Sequence, residues 1–230
     1  MIRFIEFIKR NKHILLLLYW PVHFTWYELL RIYSDRMPNF YLISSPIDQH
    51  IPFCEWFVIP YVLWYAYIAV VLLYTAFKGK QEFLRANGMI MGCMFVSILI
   101  CTVLPNGLAD GIRPDFEALG RDNLLIDLVK YLYSIDSPPR VVMPSMHAGV
   151  AAALFVVVAK CKALRGKFWV KLASFVLSLL ICMSIVFIKQ HSILDGIAGI
   201  ALVIPIYFAV YHWIYKNKET DASQIKPPRK

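Results

Sequence analysis

Charge is scarce in this chain. Asp, Glu, Lys and Arg make up only 17% of its residues against 59% hydrophobic, and the mean hydropathy is +0.58. That balance excludes an ordinary water-soluble domain, which carries about 25% charged residues. Repeats at a fixed period, low-complexity tracts and compositional breaks are also missing, which excludes solenoids, linker arrays and a second domain of different character. The economical organisation is one membrane domain over residues 1–230, with a polar cytoplasmic tail at 217–230. Five cysteines (Cys54, Cys93, Cys101, Cys161, Cys182) lie in or beside apolar stretches without metal-ligand spacing, and they read as small packing residues. The start carries Arg3, Lys9, Arg10 and Lys12 before an apolar run, but no small-residue cleavage site follows Leu18, so the segment is expected to be retained.

What the chain does have is long apolar runs. Stretches free of Asp, Glu, Lys and Arg extend over Trp56–Phe77, Gly88–Leu104, Val141–Ala159, Leu172–Ile188 and Gly196–Tyr215. Each is near the length that crosses roughly 30 Å of hydrocarbon as a helix. A sixth run, from Ile14 to Tyr33, is interrupted by Pro21, His23, Glu28 and Arg31 but carries the Tyr and Trp residues of a membrane interface. The expected fold class is therefore all-α, a polytopic integral membrane protein with six transmembrane helices.

The formal net charge of +9 is distributed as topology demands. With both termini inside, 17 Lys and Arg fall on the inner side and seven on the outer, and 11 of the 15 acidic residues fall outside. Inward basic loops follow the positive-inside rule and can contact anionic headgroups, so the partner implied is the lipid bilayer and not nucleic acid. The oligomeric state is not encoded in any pattern.

Chemistry-bearing residues concentrate at the outer face. The segment between the third and fourth spans contains Arg113-Pro114 and ends in Pro144-Ser145-Met146-His147, where the fourth span begins. The fifth span ends in Lys189-Gln190-His191-Ser192, followed by Asp195. Ionisable residues at the end of a span need partners or a polar cavity. His191 and Asp195, four apart, share a helical face, so the carboxylate can hold the Nδ1 proton and leave Nε2 bare and nucleophilic. A helix opening at Ser145-Met146 turns backbone N–H groups and a positive dipole end toward an anion, for which phosphate is the natural occupant. His147 can then protonate a leaving oxygen, while Arg113, Lys189 and Arg140 balance the oxyanions. Each feature also has a structural reading: Ser145 as an N-cap, either histidine as a hydrogen-bonded core residue, Lys189 as a snorkelling side chain, the His-x-x-x-Asp pair as a local bond. Two His and one Asp can alternatively be read as three zinc ligands. His13, His23, His50 and His212 have no partner at an informative spacing and read as structural.

Taken in order, these residues resemble the type-2 phosphatidic acid phosphatase superfamily, which includes lipid phosphate phosphatases, glucose-6-phosphatase and vanadium haloperoxidases. Its pattern of Lys-x6-Arg-Pro, Pro-Ser-Gly-His and Ser-Arg-x5-His-x3-Asp is matched at Arg113-Pro114, at Pro144 to His147, and from Ser184 through His191 to Asp195, within residues 105–200. The resemblance implies His191 as nucleophile, Asp195 as its orienting partner, His147 as general acid, and Arg113 with Ser145 as phosphate ligands, without cofactor or metal. Three positions depart: Asn106 stands for the motif Lys, Met146 for the Gly and Ile185 for the Arg, and Lys189 or Arg140 is expected to restore the lost charge. The string Phe187 to His191 and the non-Gly residue in Pro-Ser-x-His look like the inositol phosphorylceramide synthase branch. The leading expectation is a metal-independent phosphatase acting on a lipid or isoprenoid phosphate at the extracytoplasmic face of the plasma membrane. A lipid phosphotransferase using the same intermediate, and a non-catalytic transporter or scaffold, are the alternatives.

Overall fold

The computed structural model of the protein describes residues 15–16, 18–34, 36–37 and 40–215. The basic residues before the first span, His13 and the polar tail lie outside that range. In chain order the described elements are helix α1 (Tyr19–Ser34), strand β1 (Tyr41–Ile43), the short helix α2 (Pro46–His50), α3 (Val58–Lys78) and α4 (Lys80–Val103). Strand β2 (Asn106–Leu108) and helices α5 (Leu124–Ile135), α6 (Met146–Lys160), α7 (Phe168–Phe187) and α8 (Ile193–Phe208) follow. A single residue separates α3 from α4: Gly79 ends one and begins the next at φ +133°, a conformation that only glycine adopts without strain.

Among the described residues four helical stretches are long and apolar enough to cross a membrane: Glu55–Lys78, Lys80–Val103, Phe168–Phe187 and Ile193–Ile214. The other two expected spans are shorter. Within the fourth run the helix opens at Met146, as expected from Ser145-Met146; Ser145 caps it and α6 has 15 residues, about 22 Å at 1.5 Å per residue. Helix α1 has 16 residues. The last span contains Pro205, and beyond Phe208 its backbone loosens into a π-helical segment, Ala209–Ile214.

Helix α6 is the axis of the bundle and packs against α3, α4, α7 and α8. Its short length goes with full enclosure, since Ala148, Val150, Ala151, Ala153 and Leu154 are entirely buried. Small residues let the helices approach closely. A Cβ on Gly199 of α8 would lie 2.3 Å from the Ser145 carbonyl, and one on Gly149 would lie 2.9 Å from the Gly199 carbonyl. Polar contacts inside the bundle are also satisfied across helices: the Tyr67 hydroxyl of α3 bonds Ser174 Oγ of α7 at 2.5 Å, and Ser178 Oγ donates to the Ala151 carbonyl at 2.8 Å. Large apolar side chains instead cover the perimeter, among them Val70, Phe77, Val103, Leu179, Ile204 and Trp213. Such a girdle suits hydrocarbon and not water. The chain is an all-α membrane protein.

Beside the loop that leads into α6, β1 and β2 pair in parallel with Tyr41 opposite Asn106. Helix α5 packs against α3 and the turn Glu55–Phe57 that precedes it. Helix α5 was not legible as a span; it is amphipathic, capped by Asn123 at Leu125 N and Ile126 N, and buries Ile126, Val129 and Tyr133 at helical spacing.

Candidate active site

His191 lies in the tight connection between α7 and α8. Its backbone N–H and that of Gln190 both donate to the Ile185 carbonyl at 3.0 Å, which closes the C-terminus of α7. Lys189 sits in this turn at φ +54°, a left-handed conformation that a non-glycine residue adopts at a cost. Ser192 then caps α8, and Asp195 completes the capping box by accepting the Ser192 N–H at 2.9 Å. The same Oδ2 of Asp195 faces His191 Nδ1 at 3.3 Å. A carboxylate only accepts, so Nδ1–H is the donor in this contact. Asp195 is fully buried, and its other oxygen, Oδ1, has no hydrogen-bond partner among the described residues.

His147 approaches from α6. Its ring lies between Tyr61 and Trp64 of α3, with both centroids 4.3 Å away, and its centroid is 6.3 Å from that of His191. His147 Nε2 is buried without a hydrogen-bond partner among the described residues. The ends of the two helices are locked together, because the Ser145 N–H donates to the Asp195 carbonyl at 3.0 Å. Ser145 Oγ is an N-cap acceptor for Ala148 N at 3.4 Å.

Both histidines line one cavity of about 220 Å³, together with Gln190, Arg140, Asp136 and Met146. Its remaining wall is largely aromatic and apolar, with Phe24, Tyr27, Tyr61, Trp64, Tyr65 and Leu132. His23, read from the sequence as structural, also lines it while its Nδ1 bonds the Tyr19 hydroxyl at 3.0 Å.

The sequence-expected phosphate ligands divide. Arg140 reaches the cavity, its guanidinium 3.5 Å from the Phe40 ring centroid, and Met146 lines it. Arg113 stands behind the lining. Its Nη2 donates to Gln190 Oε1 at 2.9 Å and to the Asp136 carbonyl at 2.9 Å, pairs with Asp136 Oδ2 at 3.2 Å, and its guanidinium stacks 4.2 Å over Tyr133. Lys189 is directed elsewhere: Nζ donates to the carbonyls of Asp48 at 2.6 Å and Ile51 at 2.5 Å, and burial lowers its pKa against the opposing pull of Asp48. Ile185, where the motif has Arg, is fully buried in an apolar cluster with Val58, Tyr61, Ala148 and Ile188. Asn106, where the motif has Lys, is buried and bonded to the backbone of Val142 and Met143.

Several residues of the site were absent from the sequence reading. Asp136 shares the cavity with both histidines; burial raises its carboxyl pKa to about 6, against the opposing Arg113 and His191. Tyr133 supports Arg113 and donates to the Ile188 carbonyl at 2.7 Å. Tyr61 and Trp64 fix His147. The period of α5 was the available signal for Tyr133; Tyr61 and Trp64 lie in an apolar run where nothing local distinguishes them. Among the described residues no group of three or more His, Cys, Asp or Glu is gathered to hold a metal ion.

The family model described as the PAP2 superfamily matches residues 88–219. No curated protein and no solved structure matches the chain.

Proposed function

The chain belongs to the PAP2 superfamily, and from that premise we propose that it is a membrane phosphatase. It hydrolyses a lipid or isoprenoid phosphate, monoester or diphosphate, through a phosphohistidine on His191. The observation that carries this reading is the convergence of His147 and His191 on one cavity with an apolar, aromatic wall, Asp195 buried behind His191 and Arg140 in the lining. The wall suits the chain of a lipid, and the polar end suits its phosphate.

In the first step His191 Nε2 forms a bond to phosphorus while the phosphorus–oxygen ester bond breaks. The departing oxygen takes the proton of His147 Nε2. Asp195 stabilises the positive charge that develops on the His191 ring. In the second step His147 takes a proton from water, the water oxygen bonds phosphorus, and the phosphorus–nitrogen bond breaks to release phosphate and free His191. Arg140 and the N-terminus of α6, at Ser145 and Met146, favour negative charge at the phosphoryl oxygens. Arg113 acts on this site through Gln190, the neighbour of His191. The excess of inner basic residues supports both termini in the cytoplasm and the cavity at the extracytoplasmic face of the cell membrane. No metal is required by this scheme.

The test is release of inorganic phosphate from a panel of lipid and isoprenoid phosphates by purified protein, with EDTA and vanadate arms. Turnover that survives EDTA and is inhibited by vanadate supports the reading. Transfer of the phosphoryl-bearing group to an added alcohol, without free phosphate, replaces it with a phosphotransferase. Loss of activity on chelation that Zn²⁺ restores, or absence of all turnover, overturns it.

A further inference from the structure

Asp48 precedes the region that identifies the family and does not line the cavity, yet it is among the most constrained side chains of the outer end. It is 2% exposed. Its Oδ2 accepts the Ser45 N–H at 2.7 Å and the Ser192 hydroxyl at 2.6 Å, and its Oδ1 accepts the Ile193 N–H at 2.9 Å. Its backbone carbonyl and that of Ile51 take the Lys189 ammonium. One carboxylate and two carbonyls therefore tie α2 to residues on both sides of His191.

Removing a carboxylate from water costs several kcal/mol unless its oxygens find donors, and here three donors converge on two oxygens. A capping box for the five-residue α2 explains only the bond to Ser45; the other two cap the first turn of α8. With its hydrogen committed to Asp48, the Ser192 hydroxyl presents a lone pair to Leu194 N at 3.3 Å. That turn carries Asp195, whose Oδ2 divides between Ser192 N at 2.9 Å and His191 Nδ1 at 3.3 Å. Because the Ser192 backbone N–H and the imidazole share one oxygen, a shift of the Ser192 backbone changes the bond to His191.

We propose that Asp48 is a positioning residue for His191: through Ser192 and Ile193 it fixes the first turn of α8 and so keeps Asp195 in reach of the imidazole Nδ1. Asp48 touches no substrate. Its influence on catalysis rests on His191 being the nucleophile, whereas its influence on the hydrogen bond does not.

The experiment uses full-length protein with ¹⁵N-labelled histidine, and compares Asp48→Ala, Asp48→Asn and Ser192→Ala. The Nδ1–H proton of His191, assigned by its loss in His191→Gln, is observed by NMR alongside hydrolysis of p-nitrophenyl phosphate. Asp48→Ala and Ser192→Ala are each expected to move this resonance upfield or abolish it. Each should lower kcat roughly 10- to 100-fold, the scale for a misplaced catalytic group, with KM little changed. The double variant should lose no more than the worse single one, because both act through the same turn. Asp48→Asn keeps an acceptor for Ile193 N and should fall between wild type and Asp48→Ala. An unchanged resonance with unchanged kcat in folded Asp48→Ala overturns the proposal, as does a loss confined to KM. Should Asp48→Ala fail to fold, wild-type behaviour of both Asp48→Asn and Ser192→Ala overturns it. Should the wild type hydrolyse nothing, the phosphatase reading falls while the resonance still decides the role of Asp48.

Discussion

Asn106 grips both backbone polar groups of Met143: its Oδ1 accepts the Met143 N–H at 2.8 Å, and its Nδ2 donates to the Met143 carbonyl at 2.9 Å. The same Oδ1 accepts Val142 N at 3.0 Å. A residue that the sequence presents as a lost positive charge is thus the fastener of the loop leading into Pro144 and Ser145. Restoring the family residue with Asn106→Lys is expected to destabilise the protein. It strands buried N–H groups, each worth about 1–3 kcal/mol. Thermal unfolding in detergent checks this; a variant as stable as wild type and more active would show that the position remains a phosphate site.

Lys189 offers a second separation of roles. With Nζ on the Asp48 and Ile51 carbonyls, Lys189→Met should lower the unfolding temperature while leaving the inhibition constant for vanadate within about threefold in the folded fraction. Charge stabilisation at a transferring phosphoryl group is typically worth several kcal/mol. Weakening of vanadate by 100-fold or more without loss of stability would return Lys189 to the phosphate.

The two histidines should fail differently. A p-nitrophenolate leaving group needs little protonation, so His147→Ala is expected to retain some phosphoenzyme formation with p-nitrophenyl phosphate, and His191→Ala none. Rapidly quenched enzyme should carry an acid-labile, base-stable phosphoryl group on His191. An adduct on His147 reverses the assignment.

Asp136 makes the protein's stability depend on pH. Its carboxyl titrates near 6 in the folded protein against 3.8 as the ordinary value, because burial disfavours the charged form. Its contribution is therefore fully present below about pH 4 and is lost as pH rises through about 6. Relative to Asp136→Asn, the wild type should lose stability across that window and run parallel to it above. A stability difference that grows with pH would contradict the sign.

The distribution of the basic residues predicts a sidedness that labelling can check. Single cysteines at Asp122 and Lys162, in a background without the native five, should differ in intact cells, with only the first accessible to an impermeant thiol reagent. Labelling at Lys162 alone would invert the topology.

The apolar runs made the helices readable, because length and absence of charge are local properties. What was hidden is long-range. Nothing near Lys189 announces that its ammonium meets carbonyls of residues 48 and 51, and a basic residue beside His191 was naturally assigned to phosphate. The start of α6 was legible by contrast: Val141 to Ser145 is as apolar as a span, but Pro144 and Ser145 mark the helix opening at Ser145-Met146. His147 and His191 were legible as a pair through their motifs. The aromatic rings that hold His147 were invisible, since Tyr61 and Trp64 in an apolar run are indistinguishable from lipid-facing neighbours.

The backbone contact of Gly149 with Gly199 has a mechanical consequence. His147 lies in the first turn of α6 and His191 just before α8, and these two helices touch where neither carries a side chain, so the spacing of the two histidines is set by main-chain thickness inside the bundle. A single methyl group at Gly199 would act as a wedge near the pivot. It would spread α6 from α8 while leaving every motif residue in place, and an intact signature could then accompany a site whose working gap no longer fits phosphorus.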